Sequence, residues 1–260
     1  MAVHAAAPGW QNEPMPSSTL LLHTVFELGA YVVGMRVFLW QRRRLALPIL
    51  VDQDRSLWII VAAALGAAIG SKLAFWLEDP GQAFIDFPDW RHLLEGKSIV
   101  GGLLGGLTGV EACKKLLRQS DSTGDAFVFA LAIGMAIGRL GCFFAGLADH
   151  TYGNATSLPW AVDFGDGIPR HPTQLYEILF IAAWTSLILH RKPRLSRSGD
   201  AFKLYLTGYL LFRLCVDAIK PIPMFYPPGL SGIQWLCLAG LAYYAPHLPR
   251  LAKELLWATK

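Results

Sequence analysis

The chain has 260 residues, of which 53% are hydrophobic and 16% charged, with a mean hydropathy of +0.38. A soluble domain carries about 25% charged residues, so this balance argues against a water-soluble enzyme and for a membrane protein. The net charge of +4 is modest and lies in short loops between apolar stretches, which argues against nucleic acid as a partner.

Residues 1–18 are polar, hold prolines and lack Lys and Arg, so they have no basic signal-peptide region and read as a flexible tail. Apolar segments near the roughly 20 residues needed to cross a bilayer follow at 19–40, 57–77, 98–117, 125–147, 173–190, 200–219 and 230–248. The expectation is an all-α, multi-pass transmembrane bundle of about seven spans over 19–248, with an outer loop at 146–172 and a cytoplasmic tail at 249–260. The third segment is the least typical, because it is glycine-rich and contains Glu111. Gly101, Gly102, Gly105, Gly106 and Gly109 form a small-residue face suited to close helix packing, and Gly134, Gly138 and Gly141 read the same way.

Lys and Arg in short loops set the orientation. Arg42, Arg43, Arg44 and Arg55 follow the first span, Lys114, Lys115 and Arg118 the third, and Arg191, Lys192, Arg194 and Arg197 the fifth. Arg250, Lys253 and Lys260 lie in the tail, whereas 78–97 is mostly acidic. This pattern places the N-terminus outside and the C-terminus in the cytoplasm.

Five ionisable residues fall inside the spans: Glu27, Lys72, Arg139, Arg213 and Asp217. A charge in hydrocarbon costs roughly 3 kcal/mol on insertion scales, so such residues face cavities or each other and are functional candidates. In the expected topology all five fall toward the outer side. Arg213 and Asp217 share a helix face at i and i+4. A structural ion-pair network that locks helices together is the alternative reading. Arg36 and Glu111 sit at cytoplasmic ends, where they snorkel or pair with Lys114 or Lys115.

The loop 146–172 is long, rich in Gly, Asp and Pro, and without a helix pattern. It runs into Arg170-His171-Pro172-Thr173-Gln174-Leu175-Tyr176-Glu177, which places Arg170, His171, Gln174 and Glu177 together at the outer surface. Cys113, Cys142, Cys215 and Cys237 lie in apolar segments without paired spacing, so neither a disulfide framework nor a zinc site follows; no metal or cofactor is expected. Two outer arginines suit a phosphate, and an anion reaching the outer half of a membrane is most simply a phospholipid headgroup.

Several stretches resemble the prolipoprotein diacylglyceryl transferase family. Gly138-Arg139-Leu140-Gly141-Cys142-Phe143 is similar to its Gly-Arg-x-Gly-Asn-Phe signature, and residues 170–177 match its strongest block. Gly208-Tyr209-Leu210-Leu211-Phe212-Arg213, followed by Val216-Asp217, resembles its late Gly-Tyr-x-x-Phe-Arg…Glu stretch, with Asp for Glu. Ile99-Val100-Gly101-Gly102-Leu103 and Ser231-Gly232-Ile233-Gln234 add two weaker matches, and the resemblance covers roughly residues 20–245.

The resemblance implies an enzyme of the bacterial cytoplasmic membrane. It would move the diacylglyceryl group of phosphatidylglycerol, an anionic phospholipid, to the lipobox cysteine of a prolipoprotein. It gives Arg139 and Arg213 the phosphate, has Asp217 orient Arg213, and makes Gly153 the loop glycine after the signature. The candidate catalytic residues are then Arg139, Arg213, Glu27, Asp217 and His171. Lys72, Tyr31, Gly153, Gln174, Tyr176 and Glu177 join the two arginines in contacting substrate.

The chain departs from the pattern at Val100, where the family has a histidine often considered catalytic, and at Cys142, where it has an asparagine. Ala145 and Leu147 replace a further asparagine and a glutamate. Thiol activation then falls to Glu27 or His171. A non-catalytic lipid- or lipoprotein-binding paralog, a related transferase with another acceptor, and a small-molecule transporter are the alternatives, the last disfavoured by the lack of a repeated half.

Overall fold

The computed structural model describes residues 17–45, 52–83 and 96–256. Most of the expected N-terminal tail, the acidic stretch 84–95 and Lys260 lie outside them. Seven long helices match the seven apolar segments in order. They are α1 (Ser17–Leu45), α2 (Gln53–Glu78), α3 (Ile99–Leu116), α4 (Val128–Ala145), α5 (Thr173–Arg191), α6 (Asp200–Val216) and α7 (Gly232–Tyr244). Among the described residues, three stretches, Leu21–Arg44, Asp54–Glu78 and Val128–Asp149, are long and apolar enough to cross a membrane. Leu21, Val25, Leu28 and Val32 on α1, and Leu65, Ile69 and Leu73 on α2, are exposed. Bare apolar faces of this extent are what lipid covers.

Helix ends follow local chemistry. Ser98 caps α3 by accepting from Gly101 N, and Ser231 and Gln234 form a reciprocal capping box at α7. α6 is capped from across the bundle, since Asp125 accepts from Gly199 N at 3.0 Å and Phe202 N at 3.1 Å. After α7, a 3-10 turn at Ala245–His247 leads into α8 (Leu248–Leu256). The residues expected as a tail are therefore mostly helical, because Leu251 and Leu255, at i and i+4, are buried on one face. Arg250 fixes α8 by gripping the fully buried Asp200 with Nη1 at 2.7 Å and Nη2 at 2.8 Å.

α2 and α3 touch backbone to backbone. A Cβ on Gly105 would run into the Gly66 carbonyl, and one on Gly70 into that of Gly101. The glycines are thus the reason these two helices approach so closely. α6 is the central helix, with Leu204, Tyr205, Leu206, Tyr209 and Leu210 all buried in the main apolar cluster. Val100 belongs to that cluster at 1% exposure.

The helices alternate in direction, so the bundle has two chemically different ends. One is basic and stitched together by Arg42 to Ser56 at 2.7 Å and Arg191 to the Leu255 carbonyl at 2.7 Å, with Lys114 paired to Glu111 within α3 at 2.9 Å. The other carries the loop 146–172. That loop has structure of its own, contrary to its patternless sequence. A 3-10 turn at Gly146–Asp149 is followed by a hairpin of β1 (Val162–Asp163) and β2 (Pro169–Arg170), in which Val162 pairs with Arg170. Asp163 Oδ1 closes the turn by accepting from Gly165, Asp166 and Gly167 N–H groups at 2.8–3.1 Å. Its local bonds are set by turn residues, which carry no periodic signal.

Candidate active site

The loop-bearing end of the bundle buries a network of four charges. Arg139 projects from α4, Glu177 from α5, Arg213 from α6, and Asp217 from the 3-10 turn Asp217–Ile219 that ends α6. All four are buried. Arg139 Nε lies 2.9 Å from Glu177 Oε1, and Arg213 Nη1 lies 3.4 Å from Glu177 Oε2. Arg213 Nη2 donates to Asp217 Oδ1 at 2.6 Å. Tyr209 OH donates to Glu177 Oε1 at 2.8 Å, and Ser231 Oγ to Asp217 Oδ2 at 3.2 Å. Two positive and two negative charges thus balance inside the helices, which is what makes their burial tolerable.

The two arginines are not equivalent. Both terminal nitrogens of Arg213 are engaged by carboxylates. Arg139 faces Glu177 through Nε, in an approach not aligned as a directed hydrogen bond. Its Nη1 lies 4.0 Å from Cys142 Sγ, one helical turn on.

Glu177 and Gln174 depart from the expected outer surface. Glu177 is 2% exposed and sits at the centre of the network, and Gln174 is 1% exposed. The reason is that Thr173, Gln174, Glu177 and Ile181 form one buried stripe on α5. Gln174 Nε2 donates to Thr151 Oγ1 at 3.1 Å, while its buried Oε1 has no hydrogen bond among the described residues. Arg170 is also buried, and donates to Asp166 Oδ1 at 2.6 Å. That guanidinium holds the Asp166 carboxyl below the usual carboxylate range.

The other residues singled out by sequence are not in direct contact with the network. His171 Nδ1 lies 3.2 Å from Tyr176 OH, which accepts from Trp160 Nε1 at 2.8 Å. These three, with Leu158, Leu175, Leu179 and Ile219, line an open, mainly apolar groove on the outside of α5. Gly153 is wedged so closely that a Cβ there would meet His171 Cβ at 2.7 Å and the Ile219 carbonyl at 2.9 Å. Glu27 on α1 is held by Lys97 Nζ and by Tyr31 OH, the latter at 2.8 Å. Lys72 Nζ donates to the Gly96 carbonyl at 2.7 Å. Both lysine contacts tie α1 and α2 to the segment that precedes α3.

A second polar cluster has no signature in the sequence. His23 Nε2, from the start of α1, lies 3.1 Å from Asp149 Oδ1. Asp149 Oδ2 accepts from Thr151 Oγ1 at 2.5 Å. Cys142 completes the group, and one ligand atom from each of His23, Cys142 and Asp149 lies within 4.8 Å of the other two. A lone histidine in an apolar helix and a lone aspartate in a loop give no spacing signal. Only the packing of α1 on α4 joins them.

A family profile described as prolipoprotein diacylglyceryl transferase matches residues 20–245. A protein of Bordetella parapertussis named phosphatidylglycerol–prolipoprotein diacylglyceryl transferase is 34% identical over 206 residues, covering 72% of this chain and 73% of its own. Proteins of the same name from Vibrio atlanticus and Legionella pneumophila are each 32% identical. The first match covers 73% of this chain and 71% of the relative, and the second 77% of each.

Proposed function

The chain belongs to the prolipoprotein diacylglyceryl transferase family, and from that premise we propose that it transfers the diacylglyceryl group of phosphatidylglycerol to the lipobox cysteine thiol of a bacterial prolipoprotein. The observation that carries this reading is the pair of buried arginines sharing Glu177, with Arg139 turning Nη1 toward Cys142. The thiolate sulfur attacks the glyceryl carbon that carries the phosphate ester. The carbon–oxygen bond breaks, and glycerol phosphate departs with its electron pair. Negative charge grows on the phosphate oxygens in that step, and a fixed guanidinium in a dry site stabilises it without reorganising. Arg139 is the arginine with terminal nitrogens suited to that contact. Arg213, bound to Glu177 and Asp217, positions Glu177.

The setting is the bacterial cytoplasmic membrane, crossed seven times by α1–α7, with the N-terminus outside and α8 on the cytoplasmic face. The basic end of the bundle and the Lys and Arg of the loops after α1, α3 and α5 support this orientation. The loop 146–172 then faces outward, where a lipobox segment lies beside the membrane. The apolar groove along α5 is of a kind that takes an acyl chain or the hydrophobic lipobox stretch.

Packing of Val100 in the apolar core, where the family carries a histidine, favours a second reading, a lipid-binding relative without catalysis. Purified protein, labelled phosphatidylglycerol and a lipobox peptide decide between them. Label in the peptide, abolished by Arg139→Ala, supports the transferase. Saturable lipid binding with no label in any lipobox peptide supports the binding protein.

A further inference from the structure

We propose that His23, Cys142 and Asp149 form a divalent zinc site whose open fourth position binds the thiolate of the acceptor cysteine. Acceptor binding rests on the transferase reading above; metal binding does not.

The donor set is the first argument. One thiol, one imidazole and one carboxylate meet where α1, α4 and the turn after α4 converge. A thiolate with nitrogen and oxygen donors suits zinc, and three protein ligands with one position left open is the pattern of a catalytic rather than a structural zinc. Ligand bonds of about 2.0–2.3 Å space tetrahedral ligands by roughly 3.3–3.8 Å. His23 Nε2 and Asp149 Oδ1 are already close to that spacing at 3.1 Å, and all three ligand atoms lie within 4.8 Å of one another. Asp149 is already held from behind by Thr151 Oγ1, the outer bond that orients a metal-bound carboxylate.

Charge is the second argument. The Cys142 thiolate and Asp149 carboxylate together neutralise the ion. An incoming acceptor thiolate adds one negative charge beside the Arg139 guanidinium, whose Nη1 lies 4.0 Å from Cys142 Sγ while its Nε faces Glu177. The same guanidinium is the group assigned to the phosphate, so metal-bound sulfur and phosphate ester would meet at one place.

Chemistry is the third. A free thiol has a pKa near 8.5 and is only a few per cent thiolate at neutral pH. Val100 offers no base. A coordinated thiol is deprotonated outright, its proton passing to water. The zinc-bound sulfur then forms the new carbon–sulfur bond as the carbon–oxygen bond to phosphate breaks, and no oxidant or reductant takes part. Cys142 is not itself the attacking nucleophile, because alkylating it would leave a thioether, whose thiolate is a poor leaving group in a second displacement.

The test uses the full chain in neutral-lipid nanodiscs, stripped with a chelator and titrated with cobalt(II). The expected result is tetrahedral cobalt with a thiolate-to-metal charge-transfer band, displaced by zinc. Cys142→Asn, which restores the family's residue at this position, should abolish the band, and Cys215→Ser should leave it unchanged. His23→Gln and Asp149→Asn should weaken binding about tenfold or more. A lipobox peptide should intensify the band, and its serine counterpart should not. Stripped protein should lose lipid transfer and regain it with zinc. The proposal is overturned by the absence of the band, by its survival in Cys142→Asn, by indifference to the peptide thiol, or by undiminished transfer after stripping. If neither form transfers lipid, the transferase reading falls, while the cobalt band still decides the metal site.

Discussion

Arg139 and Glu177 pair across α4 and α5, with Nε 2.9 Å from Oε1, and the same carboxylate reaches Arg213 through Oε2 at 3.4 Å. One buried carboxylate thus sets the distance between two guanidinium groups. Removing its charge leaves two buried cations without the carboxylate they share, and Asp217 bonds only Arg213 of the two. Breaking a buried pair from one side costs about 3–5 kcal/mol. Glu177→Gln should therefore lower the thermal unfolding midpoint in detergent markedly and also abolish lipid transfer, with Glu177→Asp intermediate in both. An unchanged midpoint would show that the pair carries little of the fold.

The arginines should separate by kind of defect. Arg139→Lys keeps a charge but loses the planar fork. It should fold normally and lose transfer about 100- to 1000-fold, the usual cost of one charge-stabilising donor. Arg213→Lys loses one of two carboxylate contacts and should be destabilised first, with activity following folded fraction. Midpoints and turnover measured on the same preparations distinguish the two. Equal destabilisation by both substitutions would contradict the division of labour.

The network and the second cluster were not equally legible in the sequence. Arg139, Arg213 and Asp217 stood out because charge in an apolar helix is costly and therefore rare. Glu177 stood out less, lying four residues into a helix whose entrance is polar. Its burial depends on which face α5 turns inward, and the stripe from Thr173 through Ile181 settles that only once α4 and α6 are in place. His23 and Asp149 were invisible, because their partner Cys142 lies on another element and no spacing rule links them. Glu27 and Lys72 shared the expected depth of the arginines yet bond elsewhere, since depth along a helix axis fixes height and not the direction a side chain faces.

The α2–α3 contact supplies a stability test with an internal control. A Cβ at Gly105 collides with the Gly66 carbonyl, whereas one at Gly106 meets the Ala63 carbonyl at 3.4 Å and Ala67 Cβ at 3.6 Å. Gly105→Ala should force the helices apart and lower stability by about 1–3 kcal/mol, the range for overpacking. Gly106→Ala should change it by less than about 1 kcal/mol. Unfolding in mixed detergent micelles compares the pair directly. Equal effects would mean the two helices are free to separate.

The outer hairpin should be acid-sensitive. The Arg170 hydrogen bond depresses the Asp166 carboxyl below its unfolded value. A carboxyl whose folded pKa is depressed stabilises the folded loop fully above the unfolded value, near 3.9, and loses that contribution as pH falls through the folded one. Amide exchange within 162–170 should therefore be flat from neutral pH to about pH 5 and accelerate, relative to its intrinsic rate, only below about pH 4. Asp166→Asn should remove that step. A rise already present near pH 6 would point to a different titrating group.

Glu27 has two roles open to it, and its bonding chooses between them. It sits one helical turn from His23 of the second cluster on α1. Its carboxylate is nevertheless occupied by Lys97 and Tyr31, and Lys97 belongs to the segment that leads into α3. A carboxylate engaged by an ammonium and a phenol is fixed in place, which favours a tie between α1 and the start of α3. Loss of a general base lowers turnover about 10²- to 10⁴-fold. Loss of an ion pair with its side chains partly exposed costs about 1 kcal/mol or less. Glu27→Gln should accordingly reduce transfer by less than about tenfold, Lys97→Met should do the same, and the double substitution should be no worse than either. Measured kcat for the three variants carries the decision. A loss of 100-fold or more confined to Glu27→Gln, with Lys97→Met near wild type, would make Glu27 the proton acceptor.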